Sequence, residues 1–302
     1  MLRVLTLAVL VLLARVATAQ ENCSSDTLLA IDTKSGHFLS SSDLKPADLN
    51  ATVNGKPLSI LGTEPEGDKT TVVIFMDASG SMAKASNIEF ELARRIVAAL
   101  PPAQPTMIVE FAEHSELVAS DRAGTEKWLQ TVAALRQDER RTALWDAIDK
   151  TLGTVSSQRP IFLLLSDGGD NMSKVHADAV LRKLQENQVR LIWVETVETS
   201  TKEAATPEER QGGDKTAEVA GETGGGSVRS VHGFLESSFV NQVRSAIDVI
   251  GAYSRVRFDF PPGTPRTGKL KITVAPDRPE LKGAQLVYLD RLRDCSTQAA
   301  SH

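Results

Sequence analysis

Cysteine is scarce in this chain, which has only Cys23 and Cys295, one near each end. There is no Cys-x-x-Cys pair, so neither a thioredoxin-type redox site nor a zinc ribbon is indicated. The histidines show no metal-ligand spacing, and we interpret them as ordinary surface or packing residues. They are His37, His114, His176, His232 and His302.

The motifs of several common functional classes are also missing. Ser79 does not lie in a Gly-x-Ser-x-Gly elbow, and no glycine-rich phosphate loop is present. No basic stripe stands out in a chain whose net charge is −5, so nucleic acid is not an expected partner. We therefore expect a protein that is not an enzyme.

The one long apolar run lies at the start of the chain, over residues 4–14. Arg3 precedes it and the small-residue segment Ala17-Thr18-Ala19 follows it, as in a secretory signal peptide cleaved after Ala19. The run is too short to span a bilayer, and no later segment is long enough. We expect a secreted or periplasmic protein without an integral membrane segment after cleavage, with an uncleaved anchor as the alternative.

The middle of the chain alternates buried strands with amphipathic helices. Residues 71–76 and 161–165 are continuous apolar runs, typical of strands buried on both faces, and residues 85–100 carry an apolar residue at every fourth position. This alternation predicts an α/β fold with a doubly wound, mostly parallel sheet and helices on both faces. The polar segment 198–216 is predicted to be a surface loop, and residues 234–253 a closing helix.

Both flanks of this region contain short strand candidates, with Asn54-Gly55 as a hairpin turn. Neither flank has enough strands to be stable alone, so we expect them to form one small β-sandwich into which the α/β domain is inserted. The predicted division is a signal peptide at 1–19, an N-terminal β flank at 20–69, the α/β domain at 70–254 and a C-terminal β flank at 255–302.

The two cysteines lie just outside these flanking strands. Export would place Cys23 and Cys295 in an oxidising compartment, and no other cysteine is present to pair with either. We predict one disulfide between them. The alternatives are a mixed or intermolecular disulfide, or burial of each cysteine as a small apolar residue.

Oxygen-bearing side chains cluster where the central strands end. The first strand ends in Asp77-Ala78-Ser79-Gly80-Ser81, the second ends in Ser166-Asp167, and Thr142 opens a helix between them. We expect these loops to project from one sheet edge, with Asp77 at the exposed end of its strand. Carboxylates and hydroxyls suit Mg²⁺, with Mn²⁺ as an alternative and Ca²⁺ less favoured. The predicted ligands are Asp77, Ser79, Ser81, Thr142 and Asp167.

This pattern resembles the metal-ion-dependent adhesion site of von Willebrand factor type A (VWA) domains. The resemblance covers residues 70–253 and implies that Ser79 and Ser81 bind the metal directly, and that Thr142, Asp167 and Asp77 bind directly or through water. Other segments resemble secreted bacterial VWFA-related proteins of the acidobacterial type. They are residues 44–49, 53–57, 142–148 and 222–225.

Simpler roles remain open for several of these residues. Asp77 and the serines would also suit a capped turn, and Thr142 a plain helix N-cap. We interpret Asp170 as a capping or solvated residue and Asp146 as a helix-surface charge, and Trp145 and Trp193 as packing residues. Arg140 and Arg141 either attract an acidic partner or form a solvated basic pair.

Three functions follow from the predicted site. The first is adhesion, in which the metal accepts an Asp or Glu carboxylate from a protein partner. The second is a scaffold or assembly component of a periplasmic or extracellular complex, with a mainly structural metal. The third and least favoured is a metal-dependent hydrolase, which would more often show histidines or additional carboxylates.

Overall fold

The computed structural model describes nine stretches of the chain. The predicted signal peptide, both cysteines, Arg140 and most of the predicted closing helix lie outside them. No helix in the described part is long and apolar enough to cross a membrane. The described residues are 26–32, 39, 41–66, 69–132, 141–155, 160–196, 207–229, 249–250 and 252–292.

The elements are numbered here along the chain. The strands are β1 (Asp26–Asp32), β2 (Leu49–Val53), β3 (Lys56–Pro65), β4 (Val72–Asp77), β5 (Thr106–Phe111), β6 (Ser115–Ala119), β7 (Ile161–Ser166), β8 (Arg190–Glu195), β9 (Gly226–Arg229), β10 (Ser254–Asp259), β11 (Gly268–Val274), β12 (Gln285–Tyr288) and β13 (Arg291–Leu292). The α-helices are α1 (Ser86–Ala99), α2 (Arg122–Thr131), α3 (Leu144–Val155), α4 (Ala177–Glu186) and α5 (Pro207–Glu222). Short 3₁₀ helices occupy Ser41–Asp43, Pro46–Asp48, Gly80–Lys84 and Pro279–Leu281.

In the described part of the chain, β4 to β9 form a six-stranded sheet in the order β6-β5-β4-β7-β8-β9. Neighbouring strands are parallel except β5 and β6, which are antiparallel. Alternate residues of β4 enter two different cores, with Ile74 packing beside residues of α1 and α2, and Phe75 beside residues of α3, α4 and α5. The predicted α/β sheet with helices on both faces is therefore confirmed.

The flanking strands do not confirm the predicted β-sandwich. They form one antiparallel sheet in the order β12-β1-β10-β3-β2-β11-β13, counted over the residues that the structure describes. The sheet is continuous because β3 pairs with β2 through residues 56–58 and with β10 through residues 59–65. Asn54 and Gly55 form the predicted hairpin turn, both with positive φ, of 49° and 80°.

Strand β1 joins the cores of the two sheets. Leu28 and Ala30 pack in a core of the six-stranded sheet, whereas Leu29 and Ile31 pack in the core of the flanking sheet. At the amino end of β8, the guanidinium of Arg190 donates to the carbonyl of Leu28. The flanking sheet is thus fixed to the α/β part on the side away from the carboxyl ends of the parallel strands.

The prediction of a loop over 198–216 is wrong for its second half. Helix α5 begins at Pro207, where proline tolerates the first helical turn, and continues to Glu222. Gly212 and Gly213 lie within this helix. Because they have no side chains, the helix lies directly against the loop after β7. A Cβ on Gly212 would lie 3.1 Å from the Cα of Gly169.

Candidate metal centre

The predicted ligand residues lie where the winding of the sheet reverses. The chain proceeds outward from β4 to β6 on one side, then returns to add β7, β8 and β9 on the other. The carboxyl ends of β4 and β7 therefore flank a topological switch point, the usual ligand position in open α/β sheets. Asp77 is the last residue of β4, and Asp167 directly follows β7.

Asp77 is fully buried, so the expectation that it lies at an exposed strand end is wrong. Three of the five residues that follow it, Ala78, Ser79 and Met82, are buried as well. Oδ1 of Asp77 accepts from the backbone N–H of Ser79 at 2.9 Å, and Oδ2 accepts from the Ser166 hydroxyl at 2.6 Å. Both carboxylate oxygens are therefore held in place.

The two motif serines lie side by side. Their hydroxyl oxygens are 3.1 Å apart, with Ser79 buried and Ser81 exposed. Ser79 occupies the N-cap position of the 3₁₀ helix Gly80–Lys84, but its side chain makes no capping hydrogen bond. The pair consequently offers two adjacent hydroxyl oxygens as possible metal ligands, one in the protein interior and one at the surface.

Asp167 brings a second carboxylate to the same sheet edge. It is partly exposed, and its Oδ1 accepts from the N–H of Gly169 at 2.8 Å. Burial and, next, the negative charge of Asp167 raise the pKa of Asp77 to about 7. The two carboxylates are thus near enough to repel each other, a repulsion that a bound cation would offset.

Thr142 is buried and is bound to the loop after β7. Its N–H donates to Oδ1 of Asn171 at 2.9 Å, and its carbonyl accepts from the N–H groups of Asn171 and Met172, each at 3.0 Å. The next residue, Ala143, donates to the carbonyl of Ala112 at 2.8 Å. The structure therefore brings Thr142 to the same edge as Asp167, although only its main chain is fixed by these bonds.

Other side chains cap α3 in place of Thr142. Oδ1 of Asp170 accepts from the N–H of Leu144 at 2.8 Å, and the Ser173 hydroxyl accepts from the N–H groups of Trp145 and Asp146 at 2.9 and 3.1 Å. The interpretation of Asp170 as a capping residue is confirmed. These bonds leave the Thr142 side chain without a capping role.

Asp146 is not a simple helix-surface charge. Its Oδ1 accepts from the backbone N–H groups of Lys174 and Val175, both at 2.9 Å. Ser166, Asn171 and Ser173 were also missed by the sequence reasoning. Their only signal was a polar stretch after a buried strand, and such a stretch does not say which backbone groups its side chains will reach.

The loop after β7 depends on a glycine. Gly168 has a φ of +82°, and a Cβ there would lie 2.6 Å from Cζ2 of Trp193. Trp193 is buried, as is Trp145, and donates through Nε1 to the carbonyl of Ser166 at 3.1 Å. Both tryptophans are packing residues as predicted, and Trp193 supports the loop that carries Asp167.

A third carboxyl group lies beneath the site, on α1. Glu89 is fully buried, and its Oε1 accepts from the backbone N–H of Asp77 at 2.6 Å. Burial and, next, the charge of Asp77 raise the pKa of Glu89 well above its ordinary range. Nothing in the sequence singles out Glu89, since a glutamate in the first turn of a helix is common for electrostatic reasons alone.

The donors present fit a hard cation. Asp77 and Asp167 would supply charge and Ser79, Ser81 and Thr142 hydroxyl oxygens, the ligand types that Mg²⁺ and Mn²⁺ prefer. Within the described residues, no group of three or more His, Cys, Asp or Glu forms a metal cluster, so a site here depends on the hydroxyls. The two described histidines, His114 and His176, are exposed, in agreement with their interpretation as surface residues.

No protein-family profile matches the chain, and no curated protein matches it. Solved structures do. A von Willebrand factor type A structure from Catenulispora acidiphila is 13% identical, with 94% of this chain and 77% of that chain covered and a TM-score of 0.41. The manganese-loaded TRAP protein of Plasmodium vivax is 13% identical, with 74% of this chain and 93% of that chain covered and a TM-score of 0.43.

The conserved hypothetical protein BatB from Bacteroides thetaiotaomicron is 17% identical, with 60% of this chain and 98% of that chain covered and a TM-score of 0.42. A von Willebrand factor type A structure is thus among those that the chain resembles.

Proposed function

We propose that the chain is a secreted binding protein that holds one divalent cation, Mg²⁺ or Mn²⁺, and uses it to accept an Asp or Glu carboxylate from a protein partner. Asp77, Ser79, Ser81, Thr142 and Asp167 would hold the ion. The bound ion supplies an electrophilic centre for the incoming carboxylate. In this role the chain binds its partner and catalyses no reaction.

The observation that carries this proposal is the pairing of Asp77 with Asp167 at the switch point. A buried carboxylate beside a second one is unfavourable unless a proton or a cation lies close by. The adjacent Ser79 and Ser81 hydroxyls, 3.1 Å apart, point to a cation, because they add neutral oxygen donors without further repulsion.

Each residue has a separate task in this arrangement. Asp77 and Asp167 balance the charge of the ion, while the hydroxyls are weak donors and leave it attractive to another carboxylate. The Ser166 hydroxyl and the Ser79 N–H orient Asp77 by binding its two oxygens. Exposed Ser81 and partly exposed Asp167 mark the side from which a partner would approach.

Metal binding is tested by isothermal titration calorimetry with MgCl₂ and MnCl₂. Asp167→Asn should weaken binding at least tenfold and leave the fold intact, since the amide oxygen can still accept from the Gly169 N–H. Glu186→Gln is the matched control, because this exposed residue ends α4 at the opposite end of the sheet. Equal affinities for wild type and Asp167→Asn would contradict the proposed ligand set.

A second candidate function is assembly of an exported complex around a structural metal. The complete burial of Asp77 and Ser79 favours this reading, because structural sites are more enclosed than ligand-exchanging ones. A chelator separates the two functions. Under the adhesion proposal it abolishes partner binding, whereas under the assembly proposal it mainly lowers the thermal midpoint of the isolated protein.

A further inference from the structure

Glu89 occupies a costly position for a carboxyl group. It is fully buried, one oxygen accepts from the Asp77 N–H, and the other, Oε2, is buried with no hydrogen-bond partner among the residues that the structure describes. A buried polar atom left unsatisfied costs about 1–3 kcal/mol. An apolar residue of similar size would avoid that cost but would leave the buried Asp77 N–H without its acceptor, so the two costs offset and stability alone does not explain a glutamate here.

A helix-capping role does not explain it either. Glu89 lies in the first turn of α1, where an acidic side chain interacts favourably with the helix dipole. That interaction is equally available to an exposed side chain, which would avoid the desolvation cost. The specific contact of Glu89 is with the main chain of Asp77, a predicted metal ligand on another element.

Asp77 is consequently held at three points. Glu89 fixes its backbone N–H, the Ser79 N–H fixes Oδ1, and the Ser166 hydroxyl fixes Oδ2. The last two contacts orient the side chain. The first holds the N–H of the main chain from which that side chain projects, where Asp77 makes the last pairing of β4 with β5, opposite Phe111. Ligand groups must be held within about 0.5 Å of their working geometry, so a loosened main chain at Asp77 would weaken metal binding.

We propose that Glu89 is a positioning residue of the metal site, which holds the main chain at Asp77 through its acceptor oxygen without touching the ion. This inference rests on the proposed function, and it adds a residue outside the five-residue motif. The acceptor oxygen of Glu89, and not a negative charge, is the feature that the site requires.

Two substitutions separate these possibilities. Glu89→Gln keeps an acceptor oxygen and removes the acid, and should bind Mg²⁺ or Mn²⁺ within about threefold of wild type by calorimetry. Glu89→Met keeps the length and removes the acceptor, and should bind at least tenfold more weakly. Glu91→Gln, on the exposed face of the same helix, is the matched control and should not change the affinity.

Stability in chelator distinguishes positioning from a merely structural role. Metal-free Glu89→Met should unfold at nearly the same urea concentration as metal-free wild type, because loss of the buried acid offsets loss of the hydrogen bond. A structural role predicts the reverse, a clear loss of metal-free stability with unchanged metal affinity in the folded protein. That result would overturn the inference.

The remaining outcomes also decide the question. Wild-type affinity in Glu89→Met overturns the inference, and so does Glu89→Gln binding as weakly as Glu89→Met, since charge and not geometry would then matter. If Glu89→Met fails to fold, the smaller Glu89→Leu, which also lacks the acceptor, replaces it in the affinity comparison. Absence of metal binding by wild type, with an intact fold, would refute the proposed function and this inference with it.

Discussion

Replacement of Asp77 by asparagine should stabilise the metal-free protein at neutral and alkaline pH while abolishing metal binding. Asparagine has nearly the same shape, and its amide oxygen can still accept from the Ser79 N–H. Its NH₂ group can donate to the Ser166 hydroxyl, which rotates to accept it. The substitution therefore removes the charge and preserves the local hydrogen bonds.

The raised pKa of Asp77 sets the size and sign of this effect. Burial and Asp167 raise it from 3.8 to about 7 in the folded protein, so the folded state retains a proton that the unfolded chain releases. The contribution of Asp77 to stability is full below about pH 4 and is lost as the pH rises to about 7. A pKa unit is worth about 1.4 kcal/mol, so the loss is at most about 4 kcal/mol.

Urea unfolding in excess chelator, from pH 4 to pH 8, measures this loss. Asp77→Asn and wild type should have similar free energies of unfolding at pH 4, and the variant should be more stable by up to about 4 kcal/mol at pH 8. Glu89 titrates in both proteins, but its pKa is raised by burial and next by the charge of Asp77, so the substitution also relieves Glu89 and the difference between the two proteins includes that relief. Added Mg²⁺ should stabilise only wild type.

If Asp77→Asn is less stable than wild type at pH 8, by an amount that does not change with pH, this prediction is refuted. Such a result would mean that the Asp77 carboxylate is stabilised without a metal, through its bonds to Ser79 and Ser166. It would remove the argument that the site needs a cation.

Further predictions concern the loop, the rim and the chain ends. Gly168→Ala should lower the free energy of unfolding by about 2–4 kcal/mol, because Gly168 has a left-handed φ and a Cβ there would contact Trp193. Gly153→Ala is the control and should not destabilise the protein, because Gly153 lies in α3 with open space around it. Asp170→Ala should cost about 1 kcal/mol through the lost cap on α3, measured by urea unfolding. Arg141 lies exposed with Nη1 3.5 Å from Sδ of Met172, so Arg141→Gln should weaken binding of an acidic partner severalfold at low salt and less at high salt, by surface plasmon resonance. Cys23 and Cys295 should be joined in exported protein, for a gain of at most about 5 kcal/mol, and mass spectrometry that finds both thiols free would refute the link.

The α/β fold could be predicted from the sequence because its signals are local. Continuous apolar runs at β4 and β7 can be satisfied only by strands covered on both faces, and the helices between them carry their own apolar periodicity. The hairpin turn at Asn54-Gly55 is equally local, since few other residue pairs adopt two positive φ angles readily. Asp77 and Asp167 could also be placed together from the sequence, because β4 and β7 are parallel and their carboxyl ends lie at one edge of the sheet.

Tertiary structure decided what depends on residues far apart in the chain. Asp77 is buried only in the folded chain, and its pKa is raised by that burial and next by the charge of Asp167, 90 positions away in the sequence. Gly212 and Gly213, in a segment predicted to be a loop, lie instead in α5 and allow it to approach the Asp167 loop. The flanks form one sheet because β3 is long enough to pair with two strands in succession, first β2 and then β10. Hydrophobic alternation along a strand is similar for many possible partners, so the sequence pattern does not tell which strands pair.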